Sequence, residues 1–204
     1  MQKLANLISI VFHPLLIPTF GLALLFWSDA YFTYMLPVNY RLMILAMFFF
    51  ITFVTPITMF YIMYLQRFIS HISIKNRNER TVPYMVVAVM YLYVYYLLKK
   101  LNLNPIVLQT IVAMFFTLLS VLVVNLFWKV SAHTAAIGGV VAAIYYLNIF
   151  QGLNLQYFLL FSVVLAGIIG TARLQLNAHS LNQVLVGYGL GFTMVFYVLS
   201  AIHI

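Results

Sequence analysis

Three short polar stretches interrupt a chain that is otherwise almost entirely apolar, and they carry the residue types best suited to chemistry. They span residues 75–83, 129–133 and 173–183, and they contain five of the ten Lys and Arg residues and two of the five His residues. Cations are costly in so apolar a chain unless they act together. Clustered cations beside a membrane surface suit an anionic group, so binding of an anionic ligand is the first function to consider.

The stretch 129–133 places Ser131 directly before an apolar segment. Ser is a favoured N-cap residue, and the free backbone N–H groups of a helix N-terminus form a ready anion site. His133 would lie in the first turn of that helix, beside anything bound there. A capped helix with a histidine at the lipid interface explains the same residues without a ligand.

The stretch 173–183 is more specific, because His179 and Gln183 have the i, i+4 spacing that places two side chains on one helix face. Gln183 Oε1 can accept from one ring nitrogen of His179 and leave the other nitrogen free to attack or to transfer a proton. We expect Asn177 to cap this helix and Arg173 to fold back over the cap. An interfacial histidine with an ordinary polar neighbour is the alternative interpretation.

The stretch 75–83 supplies Lys75, Arg77 and Arg80, and Pro83 stands where a helix would start. We expect Glu79 to pair with one of these cations. A charged loop at a helix end is also typical of a solvated anchor, so this stretch alone does not predict a site.

Composition identifies the elements that must position these residues. Of the 204 residues, 66% are hydrophobic and 6% are charged, whereas soluble domains carry about a quarter charged residues. This composition predicts an integral membrane protein, and its formal charge of +8 suits contact with anionic membrane lipids. A nucleic-acid partner is not expected, because no basic soluble domain is present to bind one. The absence of Cys excludes disulfide and thiolate chemistry.

Hydrophobic segments long enough to span a bilayer predict an all-α fold, a polytopic membrane bundle of six or seven transmembrane helices, with residues 1–204 forming one domain. We expect a kink in the first segment at Pro14 and Pro18. His13, beside Pro14, is expected to be packed and hydrogen-bonded. The seven segments are about 4–27, 41–65, 84–98, 106–128, 133–150, 156–171 and 180–202.

The order of these segments gives a topological prediction. The loop 66–83 is separated from residues 129–132 by two crossings, and those residues are separated from 172–179 by two more. All three polar stretches are therefore expected at one membrane surface. The excess of Lys and Arg on that side does not decide whether it faces the cytoplasm, because several of these cations are themselves the candidate ligands.

Taken together, the three stretches resemble the motifs of the type 2 phosphatidic acid phosphatase superfamily, which includes the vanadium haloperoxidases. The first family motif is Lys, six residues, then Arg-Pro; Lys75 and Pro83 match it, but Val82 occupies the Arg position, with Arg80 as a substitute. The second is Pro-Ser-Gly-His, here Val130-Ser131-Ala132-His133. The third is Ser-Arg, five residues, His, three residues, Asp; here Arg173 and His179 match, and Gln183 replaces the acid. The resemblance covers residues 75–183.

The resemblance implies a membrane phosphatase or phosphotransferase that hydrolyses a lipid phosphate or diphosphate through a phosphohistidine intermediate. His179 would be the nucleophile, His133 the general acid and then the base, and Gln183 the residue that orients His179. The phosphoryl oxygens would be held by Lys75, Arg80, Ser131, Ala132 and Arg173, with no cofactor and no metal. The partner would be an anionic lipid phosphate, and by resemblance the site would lie at the outer face of a bacterial cytoplasmic membrane.

Two other functions are open at this stage. Gln183 can fix the tautomer of His179 but cannot stabilise its imidazolium form, and replacing the acid by an amide in a Ser-His-Asp triad costs about 10,000-fold in kcat. A non-catalytic relative that binds anionic lipid headgroups or a membrane partner is therefore the alternative. A transporter is disfavoured, because no apolar segment carries an Asp, Glu, Lys or Arg near its centre and no inverted repeat is visible.

Overall fold

A computed structural model describes residues 2–28, 33, 36–71, 74 and 76–201. The described residues form α-helices joined by short loops and turns, which confirms the predicted all-α fold. In chain order the helices are α1 (Gln2–Val11), α2 (Ile17–Phe26), α3 (Val38–Phe49), α4 (Thr55–Leu65), α5 (Thr81–Lys100), α6 (Pro105–Phe127), α7 (Ala132–Phe150), α8 (Gln156–Gln175) and α9 (Leu181–Ala201).

Six helical stretches among the described residues are long and apolar enough to cross a membrane. Five of them correspond to α5 to α9, and the 3₁₀ turn Asn78–Arg80 extends the first of these at its start. The other is Val38–Leu65, in which α3 and α4 are joined by one π-helical turn, Phe50–Val54. Pro56, at the start of α4, cannot donate to the carbonyl of Thr52 and would crowd it in a regular helix, which accounts for the wider turn at this position.

The first apolar segment, predicted as a possible seventh span, is not one continuous helix. It divides into α1 and α2, each ten residues long, and ten residues of helix span about 15 Å, half of the hydrocarbon core. The break lies at Pro14, where the prediction placed a kink, because proline cannot continue the hydrogen-bond ladder. His13 therefore lies at a turn between two short helices rather than inside a spanning helix.

Close packing of α7 against α9 brings the beginnings of these two helices together. A Cβ atom built on Gly191 would lie 1.9 Å from the carbonyl oxygen of Ala135, and one on Gly187 would lie 2.6 Å from the carbonyl oxygen of Ser131. Only glycine permits backbones to approach this closely. The contact fixes the first turn of α7, which carries His133, beside the first turn of α9.

We expect Gly191→Ala to lower the free energy of unfolding by about 3 kcal/mol, because the added methyl forces two helices apart. Gly189→Ala is the matched control on the same helix, since a Cβ there meets no atom within 4 Å. Thermal unfolding of both variants in detergent measures the difference. Equal stability of the two variants would contradict the packing described.

The three polar stretches meet at one end of the bundle, as the topology predicted. Arg77 Nη1 donates to the carbonyl oxygen of Phe127, and Asn125 Nδ2 donates to the carbonyl oxygen of Arg77 at 3.1 Å. The backbone N–H of Ser131 donates to the carbonyl oxygen of Gln183 at 3.2 Å. These bonds tie the first stretch to the end of α6 and the second stretch to the start of α9.

Candidate active site

A cavity of about 220 Å³ opens among the helices at this end of the bundle. Its cationic and histidine lining is His13, Arg80, His133, Arg173 and His179. Mostly apolar side chains, chiefly from α2, α5, α6 and α7, form the rest of the lining, and along α7 it continues from Ala132 to Leu147, about 22 Å of helix. The cavity therefore joins a cationic end to an apolar interior.

Five of the eight predicted site residues line this cavity: Arg80, Ala132, His133, Arg173 and His179. Ser131 and Gln183 do not line the cavity themselves, but each lies next to a residue that does. Ser131 directly precedes Ala132, and Gln183 is hydrogen-bonded to His179. Lys75 lies outside the described residues. The side chain of Val82 is 55% exposed, so the cavity receives Arg80 rather than the residue at the motif's arginine position.

Ser131 is the N-cap of α7, as predicted. Its Oγ accepts from the backbone N–H of Thr134 at 3.4 Å, and Thr134 Oγ1 donates to the carbonyl oxygen of Ser131 at 3.1 Å. Ser131 is fully buried. The cap uses a lone pair of the Ser131 hydroxyl oxygen. The hydroxyl proton therefore stays available for a hydrogen bond to another group.

The expectation that Asn177 caps α9 is wrong. Asn177 has φ 48° and ends α8: its N–H donates to Leu174 O at 2.9 Å and the N–H of Ala178 donates to Arg173 O at 3.2 Å. This pair of bonds is a Schellman motif, in which Asn takes the left-handed position that other side chains avoid. The cap of α9 comes instead from Ser180 and Gln183, three residues apart.

The hydrogen bonds of Gln183 fix the tautomer of His179. The backbone N–H of Ser180 donates to Gln183 Oε1 at 3.3 Å, and because a backbone N–H can only donate, the atom it meets must be the amide oxygen. The same oxygen lies 3.0 Å from His179 Nδ1, so Nδ1 carries the proton. In the neutral ring the lone pair is then on Nε2, and the predicted His179–Gln183 hydrogen bond is confirmed.

The surroundings of His179 keep its ring neutral. Burial lowers the pKa of His179 to about 4; the hydrogen bond that His179 donates to Gln183 opposes this shift, and the charges of Arg173, Arg80 and Lys129 add to it. At pH 7 the ring is thus uncharged, with an unprotonated Nε2 in a cationic cavity. Such a nitrogen is a nucleophile whose protonated form does not compete at neutral pH.

Arg173, in the last turn of α8, is held by only part of its guanidinium group. Its Nη1 donates to Ser9 Oγ at 3.1 Å. Its Nε is buried and has no hydrogen-bond partner among the described residues. An unpaired donor of this kind is costly, and an anion in the cavity that Arg173 lines would be a suitable acceptor.

Two further cations, Arg80 and Lys129, add positive charge near the cavity. Arg80 Nε donates to the carbonyl oxygen of Ile74 at 3.0 Å, which anchors this side chain just before α5. Burial, and after it the charges of Arg80 and Arg173, lowers the pKa of Lys129. Mutual repulsion of these cations disfavours the empty site and is relieved when an anion binds.

Two residues near the site, Ser9 and His13, were not predicted from the sequence to belong to it. Besides the bond to Arg173, Ser9 accepts from His133 Nε2 through its carbonyl oxygen at 3.2 Å. A carbonyl oxygen only accepts, so Nε2 of His133 carries a proton and the lone pair of the neutral ring is on Nδ1. The available signal was His13 itself, an ionisable residue in an apolar segment.

Comparison with protein-family models, curated proteins and solved structures finds no significant match for this chain. The family resemblance therefore stands on the motif spacing and on the site chemistry alone.

Proposed function

We propose that this protein is an integral membrane phosphatase or phosphotransferase that acts on a lipid phosphate or diphosphate through a phosphohistidine intermediate. The observation that carries the proposal is the tautomer of His179: Nε2 is left with a lone pair, and His179 lines a cavity together with two arginines and two further histidines. The apolar lining beyond those residues suits the chain of a lipid alcohol.

In the first step, His179 Nε2 attacks the terminal phosphorus atom, the new bond is P–N, and the bond that breaks joins that phosphorus to the oxygen of the leaving group, which is a lipid alcohol for a monophosphate and a lipid monophosphate for a diphosphate. Arg173 and Arg80 neutralise the charge on the equatorial oxygens, which is the main requirement of phosphoryl transfer. His133 must enter this step protonated on both ring nitrogens, and the departing oxygen takes the proton of its Nδ1 while Nε2–H still donates to Ser9. The leaving group departs, and the phosphoryl group stays on His179.

In the second step, a water molecule attacks the phosphorus atom and the P–N bond breaks. His133 accepts the water proton, and its Nδ1 is the basic nitrogen while Nε2 donates to Ser9. Inorganic phosphate leaves, and His179 returns to its neutral form. We place this site at the outer face of a bacterial cytoplasmic membrane on the family resemblance alone.

One observation favours a second candidate, a non-catalytic protein that binds anionic lipid headgroups. The partner of His179 is the neutral amide of Gln183, which cannot balance the positive charge that develops on the ring during attack. A cationic cavity with a neutral histidine would still bind a phosphate group.

Phosphate release by the purified protein in detergent tests the proposal. The panel consists of phosphatidate, phosphatidylglycerol phosphate and a polyprenyl diphosphate. We expect release from at least one of these lipids, inhibition by orthovanadate, which mimics the pentacoordinate transition state, and full activity in a chelator. Turnover that a chelator abolishes and a divalent ion restores would contradict the mechanism, and binding without turnover would favour the second candidate.

We expect Gln183→Asp to raise kcat/KM at least about tenfold, since each tenfold gain corresponds to about 1.36 kcal/mol of stabilisation and a carboxylate stabilises the developing imidazolium. The carboxylate also raises the pKa of His179 from about 4. Because only the neutral ring attacks, the acid limb of the rate profile moves to higher pH and the gain appears above it.

Rates measured from pH 4 to pH 9 test this prediction, with thermal stability as a check of folding. Asn182→Asp is the control, because it adds the same charge at an exposed neighbouring position. A folded Gln183→Asp protein that is inactive on every lipid phosphate would count in favour of the binding function.

A further inference from the structure

The turn between α1 and α2 brings a third histidine to the candidate site, outside every motif of the polar stretches. His13 lines the same cavity as His133, Arg173 and His179. Its ring packs edge to face against His133, with ring centroids 5.8 Å apart, and against Phe53 at 6.2 Å. The ring is thus held between a site residue and an aromatic side chain of the π-helical turn.

The backbone at the break determines which ring nitrogen of His13 carries the proton. The N–H of Leu15 donates to His13 Nδ1 at 3.3 Å. A backbone N–H can only donate, so Nδ1 carries the lone pair and Nε2 carries the proton of the neutral ring. Across the part of the chain that the structure describes, Nε2 has no hydrogen-bond partner, which leaves one N–H donor available at the cavity.

The break itself is fixed relative to the site. The carbonyl oxygen of His13 accepts from the N–H groups of Leu16 and Ile17 at 2.8 and 3.1 Å, which closes a tight turn around Pro14. One turn earlier, Ser9 accepts from Arg173 through its hydroxyl and from His133 through its carbonyl. The two hydrogen bonds that Ser9 accepts from site residues therefore hold the turn that carries His13 next to the site.

We propose that His13 is an anion-binding residue of this cavity, whose Nε2–H donates to an oxygen of a phosphate-type group held by Arg173. The proposal rests on the proposed function only for the chemistry of the ligand. The role differs from those of the other two histidines: Nε2 of His179 carries a lone pair, Nε2 of His133 is bonded to Ser9, and Nε2 of His13 is the nitrogen that can donate to a ligand.

Affinity for inorganic phosphate, measured by calorimetry on the full chain in detergent, tests the role without requiring turnover. We expect His13→Phe to raise the Kd for phosphate about tenfold or more, because a hydrogen bond to a charged group is lost. His13→Gln should stay within about threefold of wild type, since its amide N–H can donate from the position of Nε2. His71→Gln is the control, because His71 is exposed and does not line the cavity.

Unchanged phosphate affinity in a folded His13→Phe protein, or no phosphate binding by the wild-type chain, would overturn the inference. Equal loss in His13→Phe and His13→Gln would assign His13 a packing role and overturn it as well. The two proposals fail separately. His13-dependent phosphate binding without hydrolysis of any lipid phosphate supports the inference and contradicts the proposed function, whereas hydrolysis with His13-independent binding does the reverse.

Discussion

The His179→Ala variant is expected to lose phosphate release from every lipid phosphate, with kcat at least about 10,000-fold below wild type, as when other enzymes lose their nucleophile. The reason is local: Nε2 is the one nitrogen of that ring left unprotonated by the bond from Nδ1 to Gln183. Initial rates of phosphate release by purified proteins measure the effect.

The matched control for this experiment is His71→Ala, which removes an exposed histidine from the loop between α4 and α5. It should retain wild-type kcat. The phosphate affinity of His179→Ala should change far less than its kcat, because the arginines remain. A variant at position 179 with kcat within tenfold of wild type would remove His179 from the mechanism.

Replacing Arg173 should produce the second large effect. We expect Arg173→Ala to lower kcat about 1,000-fold, because a guanidinium group that stabilises charge developing on phosphoryl oxygens contributes about that factor or more. Arg173→Lys should fall between this variant and wild type, since Lys keeps the charge but lacks the planar pair of donors. Initial rates with the best lipid phosphate provide the comparison.

Removing Arg173 also removes its bond to Ser9, so unfolding temperatures must accompany the rates. Lys99→Ala, at the far end of α5 and exposed, controls for the loss of one cation and should leave kcat unchanged. If Arg173→Ala retained kcat while folding normally, the proposal that Arg173 neutralises the phosphoryl oxygens would be wrong.

Local features of the site could be predicted from sequence because their geometry depends on a few neighbouring residues. The His179–Gln183 hydrogen bond follows from the i, i+4 spacing of a helix, and the Ser131 cap follows from a preference that acts within one turn. The meeting of the three polar stretches followed from counting apolar segments, and the bonds of Arg77 and Ser131 confirm it.

Other features could not be predicted, because one residue type suits two competing local structures or because the contacts join residues far apart in the sequence. Asn177 suits both a helix start and the left-handed end of a helix, and the Schellman bonds at the end of α8 decided for the second. Hydropathy alone could not show that the first apolar segment divides into two short helices. The bonds of Ser9 join it to residues 124 and 164 positions away, which no local pattern encodes.

In the first motif, the residue at the expected arginine position is not the one that reaches the cavity. Its arginine position is held by Val82, whose side chain is exposed, while Arg80 reaches the cavity from the 3₁₀ turn Asn78–Arg80 that precedes α5. Arg80 was the substitute predicted from the sequence, and it lines the cavity; the 3₁₀ turn that carries it could not be read from the motif spacing.

Trapping the covalent intermediate tests the central claim most directly. The protein is mixed with a lipid phosphate labelled on its phosphoryl group, quenched under alkaline denaturing conditions and digested for mass spectrometry. The account predicts an acid-labile, base-stable phosphoryl group on the peptide that contains His179, and none in His179→Ala. Turnover of the labelled lipid with no phosphoryl group on His179, or with a stable one on another residue, would contradict the account.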